Sequence, residues 1–237
     1  MTAVRPTTPE TREKIRSVRP LTESRLIPFI TQREGEEAAP DNLVIVQHAS
    51  GPRLYYRDED RPDRDLRGTL WARCSFNSVD DRKMPTGKPQ WRLMHPYRQM
   101  VTMQAMRCQV CAERARTPLG FIFLAGPKTL DPEMMPVLTN QPPVCAKHVR
   151  AAARLCPHLG NDPMVFLAQS APLYGVSGVL YGIVENKVQV VARPDEVVRF
   201  GDPALSTFLA SQLIRRLGSF RVLDLEELLQ ELGAAAA

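Results

Sequence analysis

Cys108-Gln-Val-Cys111 and Cys145-Ala-Lys-His148 form the stretch of sequence that decides the fold, and 33 residues separate the two pairs. A tight Cys-x-x-Cys turn brings its two thiolates to within about 4 Å of each other, and one helical turn does the same for Cys145 and His148. Both pairs can then reach the bond lengths of about 2.1 to 2.3 Å that zinc requires. The spacing therefore predicts one tetrahedral Zn2+ site with these four ligands, and it disfavours the alternative of four unrelated buried side chains.

Four protein ligands leave no coordination position for water or substrate, which is typical of a structural zinc site. Two further ligand types, Cys156 and His158, follow the second pair. Along an unbroken helix Cys156 lies about 16 Å from Cys145, at about 1.5 Å per residue, which is too far for the same ion. A shorter helix that folds back would let Cys156 or His158 replace His148, and the sequence leaves that exchange open.

The segment around the ligand pairs has a characteristic order of elements. Residues 119–124 have the composition of a buried strand, residues 126–143 form a proline-punctuated loop, and residues 145–155 have the composition of a helix. With these elements, residues 105–156 resemble the treble-clef zinc fold, which consists of a knuckle, a β-hairpin and a helix. The whole chain is also similar to uncharacterised actinobacterial proteins, a resemblance that implies no activity.

The sequence as a whole predicts an α+β fold with small antiparallel sheets, a treble-clef-like zinc-binding segment and C-terminal helices. With 237 residues, of which 43% are hydrophobic, the chain is long enough to bury a core. Residues 1–41 predict an extended N-terminal arm docked at the apolar patch 26–30. Residues 42–160 predict a β-rich segment that leads into a basic zinc-binding module, and residues 161–237 predict a β-hairpin plus a helical C-terminal segment packed on the same body.

Hydrophobic periodicity predicts the individual elements outside the zinc segment. Strands are expected at 43–47, 54–57, 69–76 and 220–223, a hairpin across 179–191 with its turn at Glu185-Asn186, and helices at 96–107, 203–218 and 224–232. For the helix at 96–107 we expect Arg98 and Arg107 off an apolar stripe of Tyr97, Met100, Val101, Gln104 and Ala105. For the helix at 203–218 we expect Asp202 as N-cap and an apolar face of Leu205, Phe208, Leu209 and Leu213.

Residues 163–184 carry no charge over 22 positions, close to the length of about 20 residues that a membrane helix needs. Two prolines and three glycines interrupt this segment, so a β-hairpin is favoured over a membrane span. Four of the five cysteines lie beside other potential metal ligands, and the first 14 residues contain no apolar stretch. These features predict a protein of the reducing cytoplasm without a signal peptide.

The net charge of +5 is concentrated around the zinc ligands, where residues 82–160 hold 12 basic and 3 acidic residues. Arg and Lys contacts with phosphate supply most of the sequence-independent affinity for nucleic acids, and aromatic side chains such as Trp91 and Tyr97 can stack on unpaired bases. We therefore expect a non-catalytic, zinc-stabilised nucleic-acid-binding protein, with DNA favoured over RNA. The expected contacts are Arg92, Arg98, Arg107, Arg114, Arg116, Lys147, Arg150 and Arg154.

Two other classes of protein remain as alternatives. A protein-interaction or assembly module is the first, because the last predicted helix carries an apolar face that a second copy or a partner could cover, formed by Leu225, Leu228, Leu229 and Leu232. An HNH-like nuclease is the second, but it needs a histidine base between the ligand pairs, where residues 112–144 contain none. His95 is expected to be a hydrogen-bonded packing residue. The basic residues could also form a solvated face or dock the acidic run at 58–65.

Overall fold

The computed structural model describes residues 26–39, 42–126, 136–156, 159 and 163–235, which form a mixed α+β fold and confirm the predicted fold class. The helices of this described part are α1 (Pro96–Gln104), α2 (Ala146–Leu155) and α3 (Leu225–Ala235). Its strands are β1 (Thr31–Arg33), β2 (Leu43–His48), β3 (Gly51–Tyr56), β4 (Leu70–Trp71), β5 (Pro89–Met94), β6 (Phe121–Ala125), β7 (Leu138–Thr139), β8 (Met164–Ser170), β9 (Leu173–Val184), β10 (Lys187–Ala192), β11 (Val198–Arg199), β12 (Phe208–Arg216) and β13 (Gly218–Leu223).

The strands form small sheets that are antiparallel except for the parallel pair β4 and β12. The largest sheet has the order β10-β9-β12-β4, with β11 added to β9 and β7 added to β12. A three-stranded sheet has the order β13-β8-β6, and the pairs β1 with β5 and β2 with β3 are separate. Because β6 pairs with β8, the C-terminal third shares a sheet with the segment that contains the metal ligands.

The hairpin of β9 and β10 is confirmed, and its turn has the conformation that the sequence implies. Glu185 has φ 49° and Asn186 has φ 61°, and two left-handed residues in succession are characteristic of a tight type I′ hairpin turn. The uncharged segment at 163–184 therefore forms β8 and the whole of β9. Within the described residues, the search for a helix with the length and apolar character of a membrane span finds none.

The predicted helix at 203–218 is wrong. Asp202 does cap a helical turn, since its carboxylate accepts a hydrogen bond of 2.8 Å from the Ala204 N–H, but the turn is a short 3-10 helix, Pro203–Thr207, and β12 follows it. β12 is flanked by strands on both sides and is buried along most of its length. A strand buried on both faces lacks the alternation that identifies half-buried strands, and two irregularities in its register with β9 disturb the pattern further.

A substitution in β9 tests this strand pairing. A Cβ added at Gly178 would lie 2.1 Å from the Leu209 carbonyl oxygen of β12, so Gly178→Ala must push the two strands apart. We expect the free energy of unfolding, measured by urea titration, to fall by about 1 to 3 kcal/mol, the usual cost of overpacking. Gly233→Ala in α3 is the matched control, because a Cβ there meets nothing within 4 Å. Equal stability of the two variants would contradict the pairing of β9 with β12.

The predicted strand at 69–76 is much shorter, and α1 turns a different face to the interior than predicted. Only β4 forms in that stretch, and Cys74 makes a single bridge to Ala38. In α1 the buried side chains include Arg98, Gln99 and Met103, whereas Tyr97 is exposed. Arg98 was expected off the buried face because it is charged, but an ion pair with the buried Glu36 stabilises it in the interior.

The N-terminal patch at 26–30 docks on the segment that carries the metal ligands. The Phe29 N–H donates to the Val110 carbonyl at 3.0 Å, and the Ile30 N–H donates to the Gln109 carbonyl at 3.3 Å. α3 also packs on this segment, through the fully buried Leu228. The resulting core contains Cys108 together with apolar side chains of α2, β6 and β8, and the partly buried Cys111 and Cys145 pack against it.

Candidate metal centre

Cys108, Cys111, Cys145 and His148 lie together in the structure, with one ligand atom from each within 4.8 Å of all the others. Two ligands of a tetrahedral zinc ion at about 2.3 Å lie about 3.8 Å apart, so this cluster needs only a small contraction to bind one. The donor set of three sulfurs and one imidazole suits a borderline-soft divalent cation. The cluster can therefore hold a metal ion, as the spacing of the sequence predicted.

The first pair is held by a knuckle-like turn. The Ala112 N–H donates to the Cys108 carbonyl at 2.8 Å, and the Cys108 N–H donates to the Glu113 carbonyl at 2.7 Å. Ala112 takes a left-handed conformation with φ 59°, which closes the turn. The Val110 N–H also approaches the Cys108 Sγ at 3.4 Å. A backbone donor aimed at a sulfur stabilises its thiolate form, which is the form that binds metal.

The second pair lies at the start of α2, where Cys145 is the N-cap residue. The His148 N–H donates to the Cys145 carbonyl at 3.0 Å, and the His148 Nδ1 lies 3.2 Å from the Cys145 Sγ. One helical turn thus places both ligand atoms on the same side. The position also puts a thiolate near the positive end of the helix dipole, which favours negative charge.

Backbone hydrogen bonds connect the two pairs through β6 and the residues before α2. The Gln109 N–H of the knuckle donates to the Pro143 carbonyl at 2.9 Å, and the Val144 N–H donates to the Ile122 carbonyl of β6 at 2.8 Å. The second of these bonds joins two residues, Ile122 and Val144, that are buried in the core around Cys108. The approach of the two pairs is therefore set by the backbone as well as by the ligands.

The thiols form a coupled group. The hydrogen bond that Cys108 donates to Cys145, together with full burial, raises the pKa of the Cys108 thiol above its ordinary value. The same hydrogen bond lowers the pKa of Cys145, which accepts it, whereas burial raises the pKa of Cys111. A cation that binds here must replace thiol protons, so loading of the centre releases protons to the solvent.

Neither proposed substitute for His148 belongs to the cluster in the described part of the chain. Cys156 follows the last residue of α2, and its N–H donates to the Ala152 carbonyl at 3.2 Å, so the helix continues to the position that the distance argument assumed. His158 lies outside the described residues. The described cluster consists of the four ligands first predicted.

The other histidines and the solitary cysteine have structural positions, as expected. His95 is fully buried, and its Nε2 lies 3.1 Å from the Ser75 carbonyl oxygen. Burial and the nearby Arg98 charge lower the pKa of His95, so it stays neutral in the interior. His48 lies on the exposed end of β2, 3.0 Å from the Tyr55 hydroxyl. Cys74 lies at the single bridge to Ala38.

Most of the predicted phosphate contacts lie at the surface. The exposed ones are Arg92, Arg107, Arg114, Arg116, Lys147, Arg150 and Arg154. The prediction that Arg98 contacts phosphate is wrong. Arg98 is 3% exposed and forms an ion pair of 2.6 Å with Glu36, so it contributes nothing to a basic surface. Arg150 lies 3.7 Å from Glu226 of α3, a contact between two exposed side chains.

Acidic residues of the run at 58–65 form ion pairs with arginines that are near them in the sequence. Asp58 and Asp63 both pair with Arg73, and Glu59 pairs with Arg64. The hydrogen bonds from Arg73 lower the pKa of Asp63 despite its burial. In these contacts the acidic side chains of the run pair with Arg64 and Arg73, and not with the basic side chains of residues 105–156.

A feature that sequence reasoning missed is a cavity of about 310 Å³ beside the metal segment. Its walls come from six separate parts of the chain, including the N-terminal patch, β5, the knuckle and α2. The only sequence signal near it was the pair Trp91-Arg92, an aromatic beside a cation, and both residues line the cavity. A local sequence pattern cannot predict this cavity, because the residues that line it come together only in the folded chain.

The metal segment has the knuckle and the helix of the treble-clef pattern, but the strand between them is paired differently. β6 makes one bridge to Val144 within the segment, and its strand partner is β8 from the C-terminal third. Comparison of the chain with protein-family models, curated proteins and solved structures finds no match.

Proposed function

We propose that this chain is a zinc-stabilised nucleic-acid-binding protein of the cytoplasm, with DNA favoured over RNA and with no catalytic role for the metal. The observation that carries the proposal is the placement of six exposed basic residues on residues 105–156, the segment that contains the four candidate metal ligands, with a seventh, Arg92, on β5. A metal centre of this kind fixes short chain segments that could not otherwise fold alone, and it presents their side chains in one arrangement. The treble-clef-like architecture remains part of the proposal.

Zinc is the proposed ion because of the donor set. Three cysteines and one histidine are a common structural zinc set, and four protein ligands leave no open position for a reacting water. Cys108 is fully buried and belongs to the core, which is the position expected of a ligand that stabilises a fold. The reducing cytoplasm keeps such thiols available for the metal.

Nucleic acid is the proposed partner because of the charge on the metal segment. Lys147, Arg150 and Arg154 recur along α2 at spacings of three and four residues, and all three are exposed, whereas the other side of the helix buries Val149 and Ala153. A stripe of this kind provides contacts for a regular row of phosphates. Arg107 and Arg114 lie opposite each other across a backbone bridge next to the knuckle and add to the same segment.

Binding to a mixed-sequence oligonucleotide is expected to weaken steeply with added salt, because phosphate contacts release counterions. The double variant Lys147→Ala, Arg154→Ala removes two such contacts, so we expect the slope of log K against log salt to fall by about 2. Fluorescence anisotropy across a salt series measures both quantities. DNA and RNA strands of the same sequence are compared in the same titration.

The control for this experiment is the double variant Arg57→Ala, Arg193→Ala, which makes the same change in net charge. Arg57 and Arg193 are exposed but lie outside the metal segment. Binding that ignores salt, or an equal loss of slope in both double variants, contradicts the proposal. Metal content and a thermal melt show that each variant is folded.

The features that motivated the other two classes are accounted for within the chain. The apolar face of α3 packs on the metal segment, with Leu228 fully buried and Leu225, Leu229 and Leu232 partly buried against the same core. His95, which a nuclease assay would test first, is buried and hydrogen-bonded to a backbone carbonyl. Neither observation favours assembly through α3 or hydrolysis at His95, so neither is proposed.

A further inference from the structure

The cavity beside the metal segment lies between β5 on one side and α2 on the other. α2 contributes Ala151, Ala152 and Leu155, and the N-terminal patch contributes Leu26, Pro28 and Ile30. Carbon atoms therefore dominate its walls. Its volume of about 310 Å³ is at the small end of ligand sites, which run from about 300 to about 1,000 Å³. It has room for one small flat group and too little for a large ligand.

Three residues with amide side chains, Gln109, Asn140 and Gln141, line this largely apolar space. The Asn140 amide nitrogen donates to the Gln212 side-chain oxygen at 2.8 Å, which leaves the two glutamines as the candidate contacts for a ligand. Gln109 uses its backbone N–H and carbonyl to hold the knuckle, and within the described residues its side chain has no hydrogen bond. Among the residues that the structure describes, the Gln141 side-chain nitrogen makes one weak contact, 3.9 Å to the Met94 sulfur. An amide side chain has both hydrogen-bond donors and an acceptor, so these residues can hydrogen-bond a ligand whose edge carries donors and acceptors.

Basic and aromatic side chains lie at the two borders of the cavity. On α2, Lys147 precedes the cavity residue Ala151 by four positions and Arg154 follows it by three, so both are neighbours of Ala151 on the helix surface. On β5, Arg92 and Trp91 line the cavity, and Trp91 is 45% exposed. Cations therefore lie on both β5 and α2, in or next to the residues that line the cavity, and β5 adds an aromatic ring.

We propose that this cavity takes an unpaired nucleobase, so that the preferred ligand of the protein is single-stranded nucleic acid. This inference rests on the proposed function and names the form of nucleic acid that the same surface selects. A base has two apolar faces and an edge of donors and acceptors, which matches apolar walls with two amides. The strand phosphates on either side of that base reach Arg92, Lys147 and Arg154, and a neighbouring base stacks on Trp91.

Duplex DNA can place a base in the cavity only at a cost in free energy, because its bases are paired and stacked. A protein that inserts a base from a duplex into a pocket must first unstack and unpair it. An unpaired strand offers its bases directly, and aromatic stacking adds affinity that is tolerant of sequence. The cavity therefore predicts a preference for single strands over duplex. Charge alone does not predict this preference, because a basic surface without a cavity binds single strands and duplexes alike through their phosphates.

The test compares a short single strand, a strand of equal length made of abasic sugar-phosphate units, and the matching duplex, using the full metal-loaded chain. We expect the base-containing strand to bind about tenfold or more tightly than the abasic strand, the effect of inserting and stacking about one base. A strand that carries the fluorescent base 2-aminopurine reports burial of the base through a change in its emission. A free nucleoside monophosphate serves as a competitor.

Ala151→Leu fills the cavity, and Ala146→Leu, at an exposed position of the same helix, is its matched control. We expect Ala151→Leu to abolish the difference between base-containing and abasic strands and to leave the salt dependence unchanged, whereas Ala146→Leu alters neither. Trp91→Ala and Trp91→Phe form a second pair, in which the aromatic replacement restores the preference. This pair decides the question if Ala151→Leu fails to fold.

The outcomes separate this inference from the function on which it rests. Equal affinity for base-containing and abasic strands, or tighter binding of the duplex, overturns the base-binding cavity, while salt-dependent binding continues to support the proposed function. Full competition by the mononucleotide at the strand's own concentration overturns single-stranded nucleic acid as the preferred ligand. Loss of binding to every polyanion overturns the proposed function as well. A preference for the base-containing strand that survives Ala151→Leu and Trp91→Ala shows that the base binds elsewhere and also contradicts the inference.

Discussion

Removal of the metal ion is expected to unfold the segment that contains residues 108–148, and Cys108→Ser should produce the same loss. Structural zinc sites contribute about 10 to 16 kcal/mol in zinc-finger peptides at neutral pH, which equals or exceeds the whole stability of a typical domain at about 5 to 15 kcal/mol. Cys108 is also fully buried in the core that α2, β8 and α3 share. Its loss therefore removes a ligand and leaves a polar hydroxyl among apolar side chains.

Elemental analysis of the purified chain should find one equivalent of zinc, and a chelator should lower the melting temperature measured by circular dichroism. Cys156→Ser and Cys74→Ser are the matched controls, because both thiols lie outside the described metal cluster. We expect them to retain zinc and to melt close to the unaltered chain. A preparation without stoichiometric metal, or a variant of Cys156 that is as unstable as that of Cys108, contradicts the assignment of the ligands.

The cluster of candidate metal ligands could be predicted from the sequence because the geometry of each pair is local. A two-residue gap in a turn and a two-residue gap at the start of a helix each bring two ligands together, whatever the rest of the chain does. Tertiary structure is needed only to bring the Cys108-Cys111 pair next to the Cys145-His148 pair, through hydrogen bonds such as that from the Gln109 N–H to the Pro143 carbonyl. The hairpin turn at Glu185-Asn186 was predictable for the same reason, since its conformation is determined within the turn.

The elements that could not be predicted depend on contacts between distant parts of the chain. β12 was read as a helix because Asp202 and Pro203 begin a helical turn and because a strand buried on both faces shows no alternation. Arg98 was assigned to the surface because a charge is normally exposed, and its partner Glu36 is 62 residues away. The cavity was missed because its walls meet only after folding.

Glu36 and Arg98 form a buried ion pair whose surroundings make it sensitive to substitution. Both Arg98 terminal nitrogens donate to the Glu36 carboxylate at 2.6 Å, and the Arg33 N–H donates to it at 2.7 Å. The side chain of Arg33 is itself buried and bonds to the backbone carbonyls of Thr31 and Pro28. Burial and the neighbouring Arg98 lower the pKa of Arg33 to about 10. One carboxylate therefore stabilises two buried cations.

Glu36→Gln is expected to lower the free energy of unfolding by roughly 3 to 5 kcal/mol, the cost of leaving a buried charge without its partner. The change keeps the shape of the side chain and removes its charge, so the loss reports electrostatics and not packing. Urea unfolding at neutral pH measures it, with Glu37→Gln as the control, because Glu37 is the adjacent residue and is exposed. Similar stability of the two variants would show that the ion pair contributes little.

The same carboxylate gives the protein a dependence on acid whose sign follows from its pKa. Burial alone would raise the pKa of Glu36, but the hydrogen bonds from Arg98 and from the Arg33 N–H outweigh it and hold the pKa below the ordinary value of 4.5. A group with a lowered pKa in the folded state stabilises that state fully above its unfolded pKa and loses this contribution as the pH falls through the folded value. Stability should therefore decline below about pH 4.5 in the unaltered chain. In Glu36→Gln this part of the decline should be absent, and an unchanged acid profile in that variant would assign the decline to other carboxylates.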